Sequence, residues 1–155
     1  MNTKLPSIEL LGSSKIEIHY KRPYFKKMYH ICSAKDADVI LRKYINVQQL
    51  DLKESFWVIL LTNANRVLAV AETAQGTTTS VLTNTKYIFQ LALLTNASAM
   101  ILAHTHPSGN LDFSVRDIKE TKKIQQLAKI MEVTLLDHIV LSSESFNSMV
   151  QEDIL

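Results

Sequence analysis

The sequence predicts an α/β fold of the α+β kind, in which a mixed β-sheet is flanked by helices. Stretches with the alternation or apolar character of strands take turns along the chain with stretches of helical periodicity, an order typical of helices packed on a sheet. The 155 residues are 46% hydrophobic and include only three glycines and three prolines. We therefore expect one compact domain with a sizeable core and few long loops.

The first thirty residues are predicted to form an N-terminal extension, followed by a domain over residues 31–155. The segment up to Ser14 shows no regular pattern and is expected to be loose. KIEIHY (15–20) then alternates Ile16, Ile18 and Tyr20 on one face. This alternation predicts one short, half-buried strand in the extension.

The first half of the domain is predicted to contain a helix and a β-hairpin. Ser33 is a candidate N-cap, and Val39, Ile40 and Tyr44 follow it at helical spacing, so a helix is expected from about Ala34 to Tyr44. SFWVILL and RVLAVAE are apolar and β-branched runs separated by the polar TNAN. That pattern is typical of a hairpin, and both strands are expected to be central in the sheet.

The second half alternates helix and strand. TKYIFQLALLTNA (85–97) has one apolar face and a candidate C-cap at Asn96, which predicts a helix. ASAMILAH (97–104) predicts a buried strand that ends at His104. A longer helix follows over 114–133, with an apolar stripe that includes Met131, and then the strand TLLDHIVLS and a short tail.

Composition narrows the classes of function. The formal charge of +2 neither demands nor excludes a nucleic-acid partner. The longest apolar run, FWVILL, is far too short for a membrane span, so we expect a cytoplasmic protein with no membrane partner. The single cysteine, Cys32, cannot form an internal disulfide and is expected to be a small buried hydrophobe. Any metal ion must therefore be held by histidines and carboxylates.

The stretch HTHPSGNLDFSVRD (104–117) predicts a metal site. His104 and His106 stand where a strand ends, and one intervening residue sends both imidazoles to the same side. Gly109 lets the loop turn back, and Asp117 opens the next helix, which returns a carboxylate to the same region. Three such ligands leave the fourth position of a tetrahedral Zn²⁺ open to water, as in catalytic zinc sites.

The same residues also permit a structural interpretation. Ser-x-x-Asp at the start of a helix is a capping box, and Ser33 to Asp36 has this spacing with no histidine beside it. We expect both roles in the second case. Ser114 should begin the helix, and Asp117 should direct its carboxylate at the metal instead of at its own backbone.

HTHPSGNLDFSVRD resembles the JAMM signature, H-x-H-P followed by S-x-x-D, of the JAB1/MPN metallopeptidase fold. The P-S-G after the second histidine is similar to the RadC-like branch, as are KESFWVILLTNANRVLAVAETAQGT and LLDHIVLSSESFNSM. The resemblance covers about Ile31 to Met149. It implies the JAB1/MPN architecture, which is related to that of the cytidine deaminases; the H-x-E and C-x-x-C of zinc deaminases are absent from the sequence.

The resemblance also implies roles for individual residues. His104, His106 and Asp117 match the family's zinc ligands, and Ser114 matches a serine that helps to stabilise the oxyanion. Glu54 matches a glutamate that acts as general acid and base. The residues alone leave this last choice open, because Asp51 and Glu72 also lie near strand ends; the resemblance selects Glu54.

Two further residues bear on the site, and the N-terminal segment bears on the function. His138, inside LLDHIVL, is expected to support the site by a hydrogen bond and not to bind the metal. Phe113 stands where the branch usually has proline, which places an apolar side chain beside the site. Full-length RadC-like proteins carry an N-terminal helix-hairpin-helix module, and the first thirty residues contain no glycine-centred hairpin of that kind.

Two functions of different classes remain as expectations. The first is a zinc-dependent hydrolase of amide or isopeptide bonds in an unidentified peptide or protein. The second is a nucleic-acid-associated accessory protein of the RadC type, without peptidase activity. Its local support is YKRPYFKK (20–27), basic with interleaved aromatics, which is also the pattern of a solvated face. A metal-free scaffold is disfavoured because all three ligands and Glu54 are present. The oligomeric state is left open, a dimer included.

Overall fold

The structure is a computed structural model that describes residues 16–78 and 81–155. Three helices and a five-stranded sheet make up the described regular structure, apart from two 3₁₀ turns. In chain order the elements are α1 (Ala34–Tyr44), β1 (Ser55–Leu61), β2 (Val67–Gln75), α2 (Thr85–Leu94), β3 (Ala99–Thr105), α3 (Val115–Ile130), β4 (Thr134–Leu141) and β5 (Phe146–Ser148). The strands lie in the order β2-β1-β3-β4-β5, and only β3 and β4 pair in parallel. The predicted mixed sheet with flanking helices is confirmed.

Both faces of the sheet are covered by helices. Every residue of β1 and of β3 is buried, and successive side chains alternate between the two faces. Ile59 and Ile101 belong to the cluster that includes Ile40 of α1. Val58 and the other even-numbered positions of β1 belong to a second cluster, which includes residues of α2 and α3. The central strands are thus apolar on both sides because both sides are core.

The hairpin forms as predicted, but only one of its strands is central. β1 lies between β2 and β3, whereas β2 pairs with β1 alone among the strands of the described residues. The expectation of two central strands is therefore wrong for β2. Its middle residues are only partly buried, and an apolar run in a sequence reports burial without reporting which strands are neighbours.

The parallel pair of β3 and β4 positions the candidate site. Leu102 is opposite His138 and His104 is opposite Val140 in the register. His104 and His138 consequently face the same side of the sheet, which α3 covers with its buried residues Thr121, Ile124 and Ala128. Met131, predicted to lie in the apolar stripe of α3, is 43% exposed because the helix ends at Ile130.

Helix α1 has the predicted bounds and cap but a different buried face. The Ser33 side chain accepts a hydrogen bond from the backbone N–H of Asp36 at 3.2 Å. Val39 and Tyr44, which with Ile40 gave the helical spacing, are 47% and 52% exposed. The sheet is instead met by the face of Ala37, Ile40 and Leu41.

The extension departs from its predicted strand. Residues 16–20 form no strand, and Ile16 and Ile18 are 86% and 70% exposed. Tyr20 is attached through its hydroxyl, which donates to the carbonyl of Leu68 at 3.1 Å. Lys15 and the segment expected to be loose lie outside the described residues.

Three smaller points complete the fold. Cys32 is exposed and not buried as expected, because it lies in the exposed connection that leads into α1. Strand β5, three residues long, was not predicted and extends the sheet beyond β4. None of the helices in residues 16–78 and 81–155 combines the length and apolar character needed to cross a bilayer.

Candidate metal centre

The three predicted ligands come together at the end of β3. His104 is in the strand and 2% exposed, His106 follows the strand, and Asp117 is in the first turn of α3. One ligand atom from each lies within 4.8 Å of the other two. Nε2 of His104 is 2.9 Å from Nε2 of His106 and 3.7 Å from Oδ2 of Asp117.

The loop after β3 fixes the ring of His106. Its backbone N–H donates to the carbonyl of Leu141 at 2.8 Å, and the N–H of Gly109, at φ +80°, donates back to the His106 carbonyl. Nδ1 of the ring is 2.6 Å from the carbonyl oxygen of Asn110. A carbonyl only accepts, so Nδ1 carries the proton and Nε2 presents a lone pair.

His104 is held in its neutral form. Burial lowers its pKa to about 4, and the nearby Asp117 carboxylate offsets only part of this effect. Its Nδ1 is 2.8 Å from Nε2 of His138, so the expected hydrogen bond of His138 beside the site is present. Burial also holds the pKa of His138 well below its usual range. Metal binding requires neutral imidazoles, so this state suits a ligand.

The donor set fits zinc. Two imidazole nitrogens and one carboxylate oxygen are ligands that Zn²⁺ accepts, and three protein ligands are typical of catalytic zinc sites. A cavity of about 330 Å³ opens onto them. Room is therefore available beside the three ligands for water and for part of a substrate.

Asp117 serves the helix and the candidate metal position with the same oxygen. The capping box is complete. Oδ2 accepts from the backbone N–H of Ser114 at 2.8 Å and from its hydroxyl at 2.6 Å, and it is also the oxygen that faces His104. We expected the Asp117 carboxylate to turn to the metal position instead of to the backbone. This expectation is wrong, because the oxygen that faces His104 also accepts from the backbone N–H of Ser114. Ser114 fixes the orientation of the carboxylate.

Glu54 is the one predicted acid–base candidate that reaches this cavity. Its backbone is held by two bonds to the segment after β2, at Gly76 and Thr77. Its side chain lines the same cavity as the three ligands and Ser114. Burial raises its pKa above the ordinary value of 4.5, while His106 and Arg116 act in the opposite direction.

The two alternatives to Glu54 lie elsewhere. Asp51 is exposed and does not line the cavity. Glu72 accepts a hydrogen bond from the Gln75 amide at 2.8 Å and lines a different cavity beside Trp57.

The sequence places the chain in a known family. Residues 31–154 match the profile of the RadC-like JAB domain. The chain belongs to this family. The resemblance seen in its motifs is therefore confirmed, and the five-stranded mixed sheet with three helices agrees with such a domain.

Curated relatives of this RadC-like JAB domain are bacterial proteins named UPF0758. One from Flavobacterium johnsoniae is 35% identical over 128 residues, which are 83% of this chain and 55% of that protein. One from Clostridium kluyveri is 27% identical over 152 residues, 98% of this chain and 65% of the relative. A third, from Thermosynechococcus vestitus, is 41% identical over 96 residues, 62% and 38% of the two chains. The chain thus spans only part of the length of these relatives, and their names state no activity.

Sequence reasoning missed several neighbours of the metal centre in this RadC-like JAB domain. Phe113 was expected beside the site, and its ring centroid is 6.4 Å from that of His104. Phe56, opposite His104 in the register, was not identified, and its ring is 5.4 Å from that of His138. The spacing of four residues from Asp117 to Thr121 could have indicated a shared helix face. The contact of His106 with the carbonyl of Asn110 could not be predicted from the sequence, since every residue has a carbonyl.

Proposed function

We propose that this RadC-like JAB domain is a zinc-dependent hydrolase that cleaves an amide or isopeptide bond in a peptide or protein. The observation that carries the proposal is the convergence of His104, His106 and Asp117 in a cavity that Glu54 also lines. The family supports a hydrolase of this kind, whereas the names of the relatives are neutral.

The ligands and Glu54 divide the chemistry between them. His104, His106 and Asp117 would hold the zinc ion, which would supply a Lewis acid for activating water near neutral pH and for polarising a carbonyl. Glu54 accepts the proton of the attacking water and delivers it to the leaving amine. Its raised pKa suits both steps, since a base that must also act as an acid works best with a pKa near the working pH.

We assign to Ser114 the stabilisation of negative charge on the substrate. Its hydroxyl lines the cavity at the N-terminus of α3, where backbone N–H groups favour an anion. The hydroxyl proton now points to Asp117 Oδ2 at 2.6 Å. To donate to an oxyanion, this hydroxyl would have to turn away from Asp117.

Zinc analysis and a peptide and isopeptide library test this proposal. The purified protein should bind one zinc ion and cleave some members of the library. Glu54→Gln should keep the zinc and abolish cleavage, whereas His104→Ala should lose the zinc. His30→Ala, at an exposed histidine that does not line the cavity, is the matched control and should behave as the wild type. Cleavage by Glu54→Gln would overturn the role of Glu54, and zinc binding without any cleavage would contradict the hydrolase.

A nucleic-acid partner is a second candidate, favoured by one surface. Lys21, Arg22, Lys26 and Lys27 are all exposed, and Tyr24 between them is 70% exposed, as a stacking platform requires. The test is a gel shift at several salt concentrations with the fourfold alanine variant. Binding that weakens with salt and is lost in the variant supports this function, and no binding at low salt removes it.

We further propose that the protein works in the cytoplasm. The exposed, unpaired thiol of Cys32 suits a reducing compartment. Localisation of a tagged full-length protein tests this placement, and a secreted product would contradict it.

A further inference from the structure

His138 is a buried histidine that no step of the proposed chemistry uses. It is 1% exposed, and both of its ring nitrogens have partners. Nε2 is 2.8 Å from Nδ1 of His104, and Nδ1 is 2.5 Å from the hydroxyl of Thr121. The direction of each bond decides which nitrogens carry protons.

The directions follow from Thr121. Its hydroxyl donates to the backbone carbonyl of Asp117, one turn earlier in α3, at 2.7 Å. The single hydroxyl proton is thereby used, so Thr121 can only accept from His138. Nδ1 of His138 must carry the proton.

The tautomer of His138 in turn fixes that of the candidate ligand His104. A neutral imidazole protonated on Nδ1 has a lone pair on Nε2, so His138 accepts from His104. Nδ1 of His104 then carries the proton, and its Nε2 presents a lone pair toward His106 and Asp117. In zinc sites generally, a hydrogen-bond partner on the ring nitrogen that does not face the metal fixes the tautomer and orientation of the ligating histidine.

We propose that Thr121 and His138 are positioning residues that hold His104 ready to bind zinc and tie its ring to the backbone of the other ligand, Asp117. The line of bonds runs from the Asp117 carbonyl through Thr121 and His138 to His104, and crosses from α3 to β4 to β3. The inference rests on the proposed zinc site. It goes beyond that site because it assigns zinc affinity to residues that never touch the ion.

Two aromatic rings enclose this line of hydrogen bonds, which strengthens its hold on the tautomer of His104. The Phe56 ring is 5.4 Å from His138, and the Phe113 ring is 6.1 Å from it. Water has little access to either nitrogen, so an imidazole that lost its protein partner would keep an unsatisfied polar atom. A reversed tautomer is therefore costly in the native protein.

Thr121→Val is the main test, because valine keeps the shape of threonine and removes the hydroxyl. Zinc affinity, measured by competition with a chelator, should fall about 10- to 100-fold. Thr121→Ser restores the hydroxyl and should return the affinity close to that of the wild type. The ¹⁵N spectra of the metal-free wild type should show His138 and His104 protonated on Nδ1, a pattern that Thr121→Val should disturb.

Thr95→Val is the matched control. Thr95 is also buried, and its hydroxyl also donates to the carbonyl four residues earlier, at 2.8 Å, but it lies at the end of α2. This variant should lose stability and keep the zinc affinity of the wild type. It separates the loss of a buried hydroxyl from the loss of the line to His104.

The outcomes distinguish this inference from the proposed function. Wild-type zinc affinity in a folded Thr121→Val protein, or a proton found on Nε2 of His138, overturns the positioning role and leaves the hydrolase untouched. Failure of the wild type to bind zinc overturns the metal site and the positioning role together. Zinc binding that depends on Thr121 in a protein that cleaves nothing supports this inference and contradicts the hydrolase.

Discussion

At the scale of single residues, the loop that carries His106 depends on one glycine. Gly109 has a φ of +80°, and a Cβ added there would meet nothing within 4 Å. The strain of a side chain at this position would therefore come from its own backbone and not from a clash.

Gly109→Ala should thus lower the free energy of unfolding by about 1–2 kcal/mol. Urea denaturation measures the change. Gly109→Asn should cost less, because asparagine tolerates the left-handed region better than alanine. Equal losses in the two variants would show that the conformation of residue 109 is not what limits the loop.

A second residue, Asp137, links stability to pH. It accepts hydrogen bonds from the Ser148 hydroxyl at 2.6 Å and from the backbone N–H groups of His138 and Val150. Burial nevertheless raises its pKa above the ordinary 3.8, and these bonds offset only part of the rise. The folded protein therefore binds this proton more tightly than the unfolded chain does.

The sign of the pH dependence follows from that difference. The contribution of Asp137 to stability is full below pH 3.8, the unfolded value, and is lost as the pH rises through the higher folded pKa. Urea unfolding at a series of pH values should show the wild type losing stability relative to Asp137→Asn over this window. A constant difference between the two proteins would contradict the raised pKa.

At the scale of elements, α1 and α3, the two helices that begin with a serine cap, offer a matched pair. Ser33 and Ser114 both accept from the backbone N–H three residues later, and an aspartate side chain bonds back to each. Only Ser114 lines the candidate site. Removing a cap that also has a chemical role should therefore lower both stability and activity, whereas removing a cap without one should lower stability alone.

Ser33→Ala and Ser114→Ala should each destabilise the protein by about 1 kcal/mol, since each removes an N-cap. Only Ser114→Ala should also reduce hydrolysis and zinc affinity, because the Asp117 carboxylate loses a restraint. Thermal unfolding, chelator competition and the cleavage assay measure the three effects. Equal activity in the two variants would remove Ser114 from the chemistry.

The elements also show how far the sequence predicts the fold. Long apolar runs predicted β1 and β3 because these strands are buried on both faces. The alternation over residues 15–20 predicted a strand that residues 16–20 do not form, since a half-buried strand also needs a partner strand and a surface to cover. β5 was missed because three residues are too few for a period, and the edge position of β2 depends on pairing that no local pattern records.

How much of the candidate site the sequence predicts differs from residue to residue. The ligands of the H-x-H and the following Asp share one short stretch, so spacing alone brought them together. Glu54 could be identified only through the family resemblance, because its position near the candidate ligands depends on how β1 pairs with β3. The direction of the Thr121 hydroxyl depends on the helix around it and could be worked out only from the structure.

At the scale of the whole molecule, zinc should stabilise a protein that is already folded. The three candidate ligands lie at the end of the central strand β3, in a sheet whose core clusters cover both faces. The far-UV circular dichroism should therefore stay the same when zinc is removed, unlike that of a small zinc finger. Unfolding on chelation would show that the metal is part of the core.

The size of the zinc effect follows from mass action. Free zinc at one hundred times its Kd should add about 2.7 kcal/mol to the free energy of unfolding. For a chain of this length that corresponds to a Tm increase of roughly 5–10 °C. Calorimetry with and without zinc measures it, with His104→Ala as the control that should not respond.

Glu54 lies far from the three candidate ligands along the chain, and this separation affects how the site can change during evolution. The ligands all lie within residues 104–117, on one strand, loop and helix, whereas Glu54 precedes a different strand. Under the proposed chemistry, a single substitution at Glu54 would end turnover and leave the three candidate ligands and the fold intact. The proposed chemistry and the architecture that carries it can therefore be lost independently in the lineages that share this domain.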